Sequence, residues 1–324
     1  MASHYSTLRA CDLETMLNGG LERFYKKYDH LSRKVNIQLP TPEVRFENLS
    51  FTPWKRPTMV TKHALHPMSS IIKPGTLTLI LAIPGAGKSM FLKALAERAK
   101  TKISGEILYA GLRGDEIDLI KLAGLVDQTD NNIPTLTVRE TFKFADICVN
   151  GLPEDPEELR DIAALHTELF IQVLGMEECA ETVVGDALLR GVSGGERKRV
   201  TIGEVLVGGL SLFLRSHSRV FELSFFLSVI ALLQPTPEDL SLAAYIFELW
   251  CVAILYRGPR TEILDYFEER GFTCPPRVDP ADFLIEVTSD RGHRYANGGV
   301  PVKDLPVSSQ DLNNLFCQSN IYRR

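Results

Sequence analysis

The chain is expected to fold as an α/β protein, and three observations predict this. The apolar β-type run Thr76–Leu81 leads into Pro84-Gly85-Ala86-Gly87-Lys88-Ser89 and then into a helical stretch, residues 90–100. A second glycine turn, Ser193-Gly194-Gly195-Glu196, opens another helical stretch that continues through 200–207. Strand-like segments at 44–51, 103–111 and 122–126 alternate with helical ones, notably 137–180, which Pro153 and Pro156 interrupt.

The first glycine loop has the spacing of a phosphate cradle, and it sits between a strand and a helix as that chemistry requires. Ala82, Ile83, Pro84, Gly85, Ala86, Gly87, Lys88, Ser89 and Met90 are the candidate nucleotide-binding residues. Gly85 and Gly87 can take backbone angles closed to other residues, so that successive N–H groups face one anion. The helix that begins at Ser89 adds its positive end. Lys88 is expected on the β- and γ-phosphates of ATP, and the Ser89 hydroxyl on Mg2+. Ala82 replaces the first glycine of the pattern, a change tolerable where that residue has negative φ.

Ser193 is a good N-cap, and Glu196 three residues later completes a capping box. A capped helix alone would explain the string. Two glycines beside a helix N-terminus also expose N–H groups to an anion.

The rest of the chain sets bounds. The 324 residues are enough for one large domain or two modest ones, and 44% hydrophobic with 24% charged residues is ordinary globular composition. A net charge of −5 offers nucleic acid no attraction. The six cysteines are scattered without a CxxC pair, which argues against structural zinc or a disulfide framework and for a reducing, cytosolic setting. The opening residues lack the apolar core of a secretory leader. The apolar run Val220–Leu233 has 14 residues and contains Glu222, short of the roughly 20 a membrane span needs, so it is expected as a buried strand or helix.

Taken together, the phosphate loop and the Ser-Gly-Gly-Glu-Arg helix resemble the two halves of an ABC-type ATPase. Between them, Val126-Asp127-Gln128 followed by Pro134-Thr135-Leu136-Thr137-Val138-Arg139-Glu140-Thr141 resembles the family's glutamine loop. The segment 256–290, with its Gly-Pro-Arg turn and Ala-Asp-Phe-Leu run, resembles the G subfamily of the pleiotropic drug resistance type. Its wording is closest to the first nucleotide-binding half of full-size transporters from oomycetes.

The resemblance implies a P-loop NTPase core, a mostly parallel sheet flanked by helices, with an antiparallel β subdomain and a helical signature subdomain. It implies that Ser193, Gly194, Gly195 and Glu196 meet ATP held by a second nucleotide-binding domain. It also implies that Gln128 joins Ser89 at Mg2+, and that Phe51 or Trp54 stacks on adenine. The implied function is coupling of ATP binding and hydrolysis to export of small molecules through a separate transmembrane domain, at the cytoplasmic side of a membrane.

The expected organisation is a helical extension over 1–42, an ATP-binding domain over 43–257 with 210–257 degenerate, and a C-terminal extension over 258–324. Here the chain departs from the family. After the signature helix the family has a strand ending in Asp-Glu, which holds Mg2+ and polarises the attacking water. This chain reads Leu212-Phe213-Leu214-Arg215-Ser216-His217, and the switch histidine falls at Leu233. No catalytic residue is therefore assigned, and His217 is not taken as a substitute base. These internal shortenings, with an end before any membrane segment, lead us to expect a truncated product. The alternative function is a degenerate ATP-binding module that does not hydrolyse.

Overall fold

The computed structural model describes residues 43–51, 65–73, 76–99, 103–126, 129–150, 167–207, 212–216, 227–231, 236–250, 253–289, 291–297, 305–306 and 308–322. The helix expected in the first 42 residues, Trp54, Gln128, His217 and Leu233 lie outside them. In chain order the strands are β1 (Val44–Phe51), β2 (Leu65–Ile72), β3 (Leu77–Leu81), β4 (Ile103–Tyr109), β5 (Leu112–Arg113), β6 (Ala123–Val126), β7 (Leu212–Ser216), β8 (Leu227–Ala231), β9 (Tyr245–Trp250) and β10 (Ala253–Pro259). The helices are α1 (Lys88–Leu95), α2 (Val138–Asn150), α3 (Gly194–Leu206), α4 (Pro237–Leu242), α5 (Ile263–Glu268), α6 (Pro280–Val287) and α7 (Ser309–Gln318). The chain divides into two compact units, one containing residues 120–211 and the other residues 41–119 and 212–324.

The larger unit holds two sheets. One is antiparallel, in the order β2-β1-β4-β5. In the other, β3 lies between β8 and β9 and runs parallel to both, β7 extends it parallel to β8, and β10 closes antiparallel on β9. A central parallel strand is covered on both faces, and so β3 is a continuous apolar run rather than an alternating one. Leu79, Ile80 and Leu81 are all buried.

Helix α1 joins the two sheets. Phe91 meets Phe46 of β1 edge-on with ring centroids 5.5 Å apart, and Phe247 of β9 at 6.3 Å. Such pairs add about 1 kcal/mol each beyond the area they bury. The buried Tyr109 at the end of β4 donates its hydroxyl to the Leu95 carbonyl, 2.6 Å away, at the C-terminal end of α1. This occupies one of the carbonyls that a helix end leaves without an intrahelical donor. Sheet, helix and sheet thus hold the loop that precedes α1.

Three expectations are refined. Of Val220–Leu233, residues 227–231 are strand β8, and the remainder lies outside the described residues. The stretch 210–257, expected as degenerate, contains β9, which pairs antiparallel with β10 (Ala253–Pro259). The C-terminal extension expected over 258–324 contains helix α7. Ser308 caps it by accepting from the Asp311 N–H at 3.1 Å, and Leu312 and Phe316, one turn apart, bury its apolar side. Asn313 of α7 donates to the Ile254 carbonyl of β10 at 2.7 Å.

The smaller unit is mainly helical. Helices α2 and α3 pack so closely that a Cβ placed on Gly203 would lie 2.2 Å from the Phe142 ring. Arg199 donates to the Leu174 and Gly175 carbonyls at 2.9 and 3.1 Å, where the helix over residues 167–173 ends. A cation at that position is favourable to the helix dipole.

Candidate functional site

The phosphate loop leaves β3 at Leu81 and enters α1 at Lys88. The Ala86 N–H donates to the Ile83 carbonyl at 3.2 Å, which closes a turn over Pro84 and Gly85. Gly85 has φ +82° and Gly87 φ +94°, the left-handed conformation that a Cβ disfavours. Nothing lies within 4 Å of a Cβ built on Gly85, so backbone conformation rather than crowding within the chain selects glycine there. Ala82 is fully buried and is not among the residues with positive φ, which explains why its methyl group is accommodated.

Helix α1 begins with no side-chain cap and no acidic residue in its first turn. Its leading N–H groups have no intrahelical acceptor, and its dipole favours a negative partner at that end. Lys88, only 6% exposed, donates its ammonium to the Ala82 carbonyl and lies 3.5 Å from the Ile83 carbonyl. Burial pushes its pKa down to about 8. A bound anion acts in the opposite direction and favours the charged form. Ser89 is exposed at the mouth of the loop and Met90 is half-buried. An uncapped helix, left-handed glycines and a nearly buried ammonium are a donor set that fits the phosphates of a nucleotide.

The second predicted turn is built differently. Ser193 is the N-cap of α3. Its hydroxyl accepts from the Glu196 N–H at 3.3 Å, and the Glu196 carboxylate accepts from the Ser193 N–H at 2.7 Å. Hydrogen bonds from Ser193 hold the Glu196 carboxyl below its ordinary pKa. Gly194 and Gly195 are exposed, neither is among the glycines with positive φ, and nothing lies within 4 Å of a Cβ built on either. Neither the fold nor the cap demands glycine at these two positions.

The structure thus brings Ala82 through Met90 together in one unit and Ser193 through Glu196 together in the other. Gln128 and Trp54 lie outside the described residues, and Phe51 is described as part of β1 by its backbone pairing with Leu65 and Ile103. Strand β7 is two strands from β3: Ser216 pairs with Ala231 of β8, and Ala231 with Ile80. Arg215 and Ser216 end that strand where the resemblance calls for two carboxylates. Among the described residues no group of three or more His, Cys, Asp or Glu side chains is arranged to hold a metal ion. Mg2+ brought with a nucleotide would find the Ser89 hydroxyl and the phosphate oxygens themselves.

One group of polar residues was not singled out from the sequence. The Asp130 carboxylate accepts from the Lys198 ammonium at 3.0 Å and from the Thr201 hydroxyl at 2.8 Å, and Asn132 donates to Glu204 at 2.8 Å. Lys198, Thr201 and Glu204 recur every three residues along one side of α3. That periodicity was the available signal, but nothing local identifies their partners.

Residues 65–214 match the family model for ABC transporters. ABC transporter G family member 34 of Oryza sativa subsp. japonica is 34% identical over 361 residues, covering 88% of this chain and 25% of that relative. ABC transporter G family member 38 of Arabidopsis thaliana is 32% identical over 359 residues, covering 87% and 25%. The chain therefore spans about a quarter of the length of these curated relatives. Both alignments are longer than the 324 residues of the chain, so the relatives carry additional residues within the matched span. Among the described residues no helix is long and apolar enough to cross a membrane.

Proposed function

The chain carries an ABC transporter ATP-binding domain with homologues in the G family, and from that premise we propose that it binds Mg·ATP at Ala82–Ser89 as the nucleotide-binding part of a drug-resistance-type exporter. In this reading Ser193, Gly194 and Gly195 engage ATP held by a second nucleotide-binding domain, and Gln128 joins Ser89 at the metal. A transmembrane domain supplies the path for small molecules, with this chain at the cytoplasmic side of the membrane. The observation that carries the reading is the start of α1. Left-handed Gly85 and Gly87, an uncapped first turn and the nearly buried Lys88 lie within one short loop and support a single anion site there. The wording of 256–290 supports the drug-resistance assignment, and the shared G-family relatives support the transport role.

A second reading, binding without efficient hydrolysis, is favoured by Arg215 and Ser216. Without metal-holding and water-polarising carboxylates, phosphoryl transfer loses the groups that neutralise and position its transition state. Nucleotide binding does not depend on them. Both readings predict that millimolar Mg·ATP raises the thermal midpoint of the chain and that Lys88→Ala removes the shift. No protection of the unmodified chain would exclude both. Turnover well above that of Lys88→Ala selects coupled hydrolysis, and turnover equal to it selects the binding module.

A further inference from the structure

Arg197-Lys198-Arg199 directly follows the Ser193-Gly194-Gly195-Glu196 turn, and by charge alone the run reads as a set of phosphate ligands. The contacts point elsewhere. Lys198 Nζ lies 3.0 Å from Asp130 Oδ1, with both side chains largely covered (17% and 23% exposed). The same oxygen accepts the Thr201 hydroxyl at 2.8 Å, and Asn132 reaches Glu204 one turn further along α3. Arg199 donates to the carbonyls of Leu174 and Gly175. Two of the three cations therefore hold α3 against two separate segments of its own unit, from its second turn onward. The first turn carries its own cap, and Ser193, Gly194 and Gly195 are exposed.

We propose that Lys198 and Asp130 are positioning residues for the Ser193–Gly195 turn: they fix the axis of α3 so that the turn's N–H groups are presented to a nucleotide, and Lys198 is not itself a phosphate ligand. The proposal rests on the reading that this turn meets ATP held by a second nucleotide-binding domain, and it takes a second copy of this chain as that domain. The two roles predict opposite effects of one substitution. If Lys198 were a ligand, Asp130→Asn would release it and strengthen ATP-driven association. If Lys198 acts through Asp130, the same change loosens the helix and weakens association.

The test is sedimentation of the full chain at saturating Mg·ATP, with the ATP affinity of dilute monomer and the thermal midpoint measured in parallel. Asp130→Asn and Lys198→Met are each expected to raise the protein concentration for half-association by about tenfold, the effect of losing a hydrogen bond to a charged group. The double variant should do no more than either single one, because both remove the same contact. Lys198→Arg should restore association, and monomer ATP affinity should stay constant throughout. Should Asp130→Asn not fold, Thr201→Val, which keeps the ion pair and deletes the hydroxyl shared among Asp130, Asn132 and the Arg197 carbonyl, reads a smaller loss in the same direction.

Tighter association of Asp130→Asn, additive losses in the double variant, or a parallel fall in monomer affinity overturns the proposal. So does an unmodified chain that binds ATP without self-association. Failure of the unmodified chain to bind ATP instead removes the functional reading on which the proposal stands.

Discussion

Leu81, the last residue of the strand that feeds the phosphate loop, is paired in parallel register with Glu248 of β9. Glu248 is fully buried, and neither carboxylate oxygen has a hydrogen-bond partner. Tyr256 of β10, Tyr266 of α5 and Thr288 at the end of α6 face it. Burial pushes its pKa well above the ordinary 4.5. The carboxyl therefore keeps its proton to higher pH in the fold than in the unfolded chain. Its contribution to stability is complete below about pH 4.5 and is lost as pH rises, by about 1.4 kcal/mol per unit, up to its raised folded pKa. Glu248→Leu is expected to raise stability at pH 8 by about 2 kcal/mol, since it removes an unsatisfied buried polar group. It should also flatten the pH dependence above pH 5. Chemical denaturation at pH 5, 6.5 and 8 checks both. A variant less stable than the unmodified chain at pH 8 would show that Glu248 has a partner in solution.

On the other side of the phosphate loop, α1 is braced at its C-terminal end by Tyr109. The hydroxyl is buried and occupies the Leu95 carbonyl at 2.6 Å. Tyr109→Phe keeps the ring and leaves that carbonyl without its donor, a loss of about 1–2 kcal/mol. Because the bond lies at the far end of α1 from the loop, ATP affinity at low temperature should be unchanged while the thermal midpoint falls. A midpoint equal to that of the unmodified chain counts against the bond.

The parts legible in the sequence were those set by local chemistry. Gly85, Gly87 and Lys88 could be read because left-handed φ and phosphate geometry are properties of a few adjacent residues, and the cap formed by Ser193 and Glu196 is equally local. Strand β9 was hidden because Glu248 breaks its apolar run, although the burial of that residue is complete. Helix α7 was hidden by its polar composition: only Leu312 and Phe316 mark its buried side. The bond between Lys198 and Asp130 joins residues 68 apart, so no window of sequence contains both. What escaped the sequence was therefore pairing at a distance.

Packing between α2 and α3 gives a prediction in which helix propensity and sterics oppose each other. Gly203→Ala inside α3 would favour the helix by about 1 kcal/mol on propensity alone. A methyl group there would lie 2.2 Å from Phe142 Cζ and 2.8 Å from Leu174 Cδ1, so the helices must separate or Phe142 must leave its position. Overpacking of this kind costs about 1–3 kcal/mol and is expected to prevail, giving a net loss of stability. Phe142→Leu in the same chain should recover part of the loss. A stabilised Gly203→Ala would mean that α2 and α3 stand further apart in solution.

Gly194 and Gly195 provide the opposite case. Neither has positive φ, neither has an atom within 4 Å of a built Cβ, and both lie in the first turn of a helix. Alanine lowers the entropy of the unfolded chain and is compatible with helical backbone, so Gly194→Ala and Gly195→Ala should leave stability unchanged or raise it by up to about 1 kcal/mol. If the fold does not require these glycines, close approach of a ligand backbone or phosphate does, and ATP-driven association should weaken while ATP binding at Ala82–Ser89 persists. Thermal denaturation without nucleotide, set beside sedimentation with Mg·ATP, separates the two. A loss of stability without nucleotide would assign the glycines to folding. Unchanged association would remove the turn from the nucleotide site. The proposed role requires retained or increased stability together with weakened association.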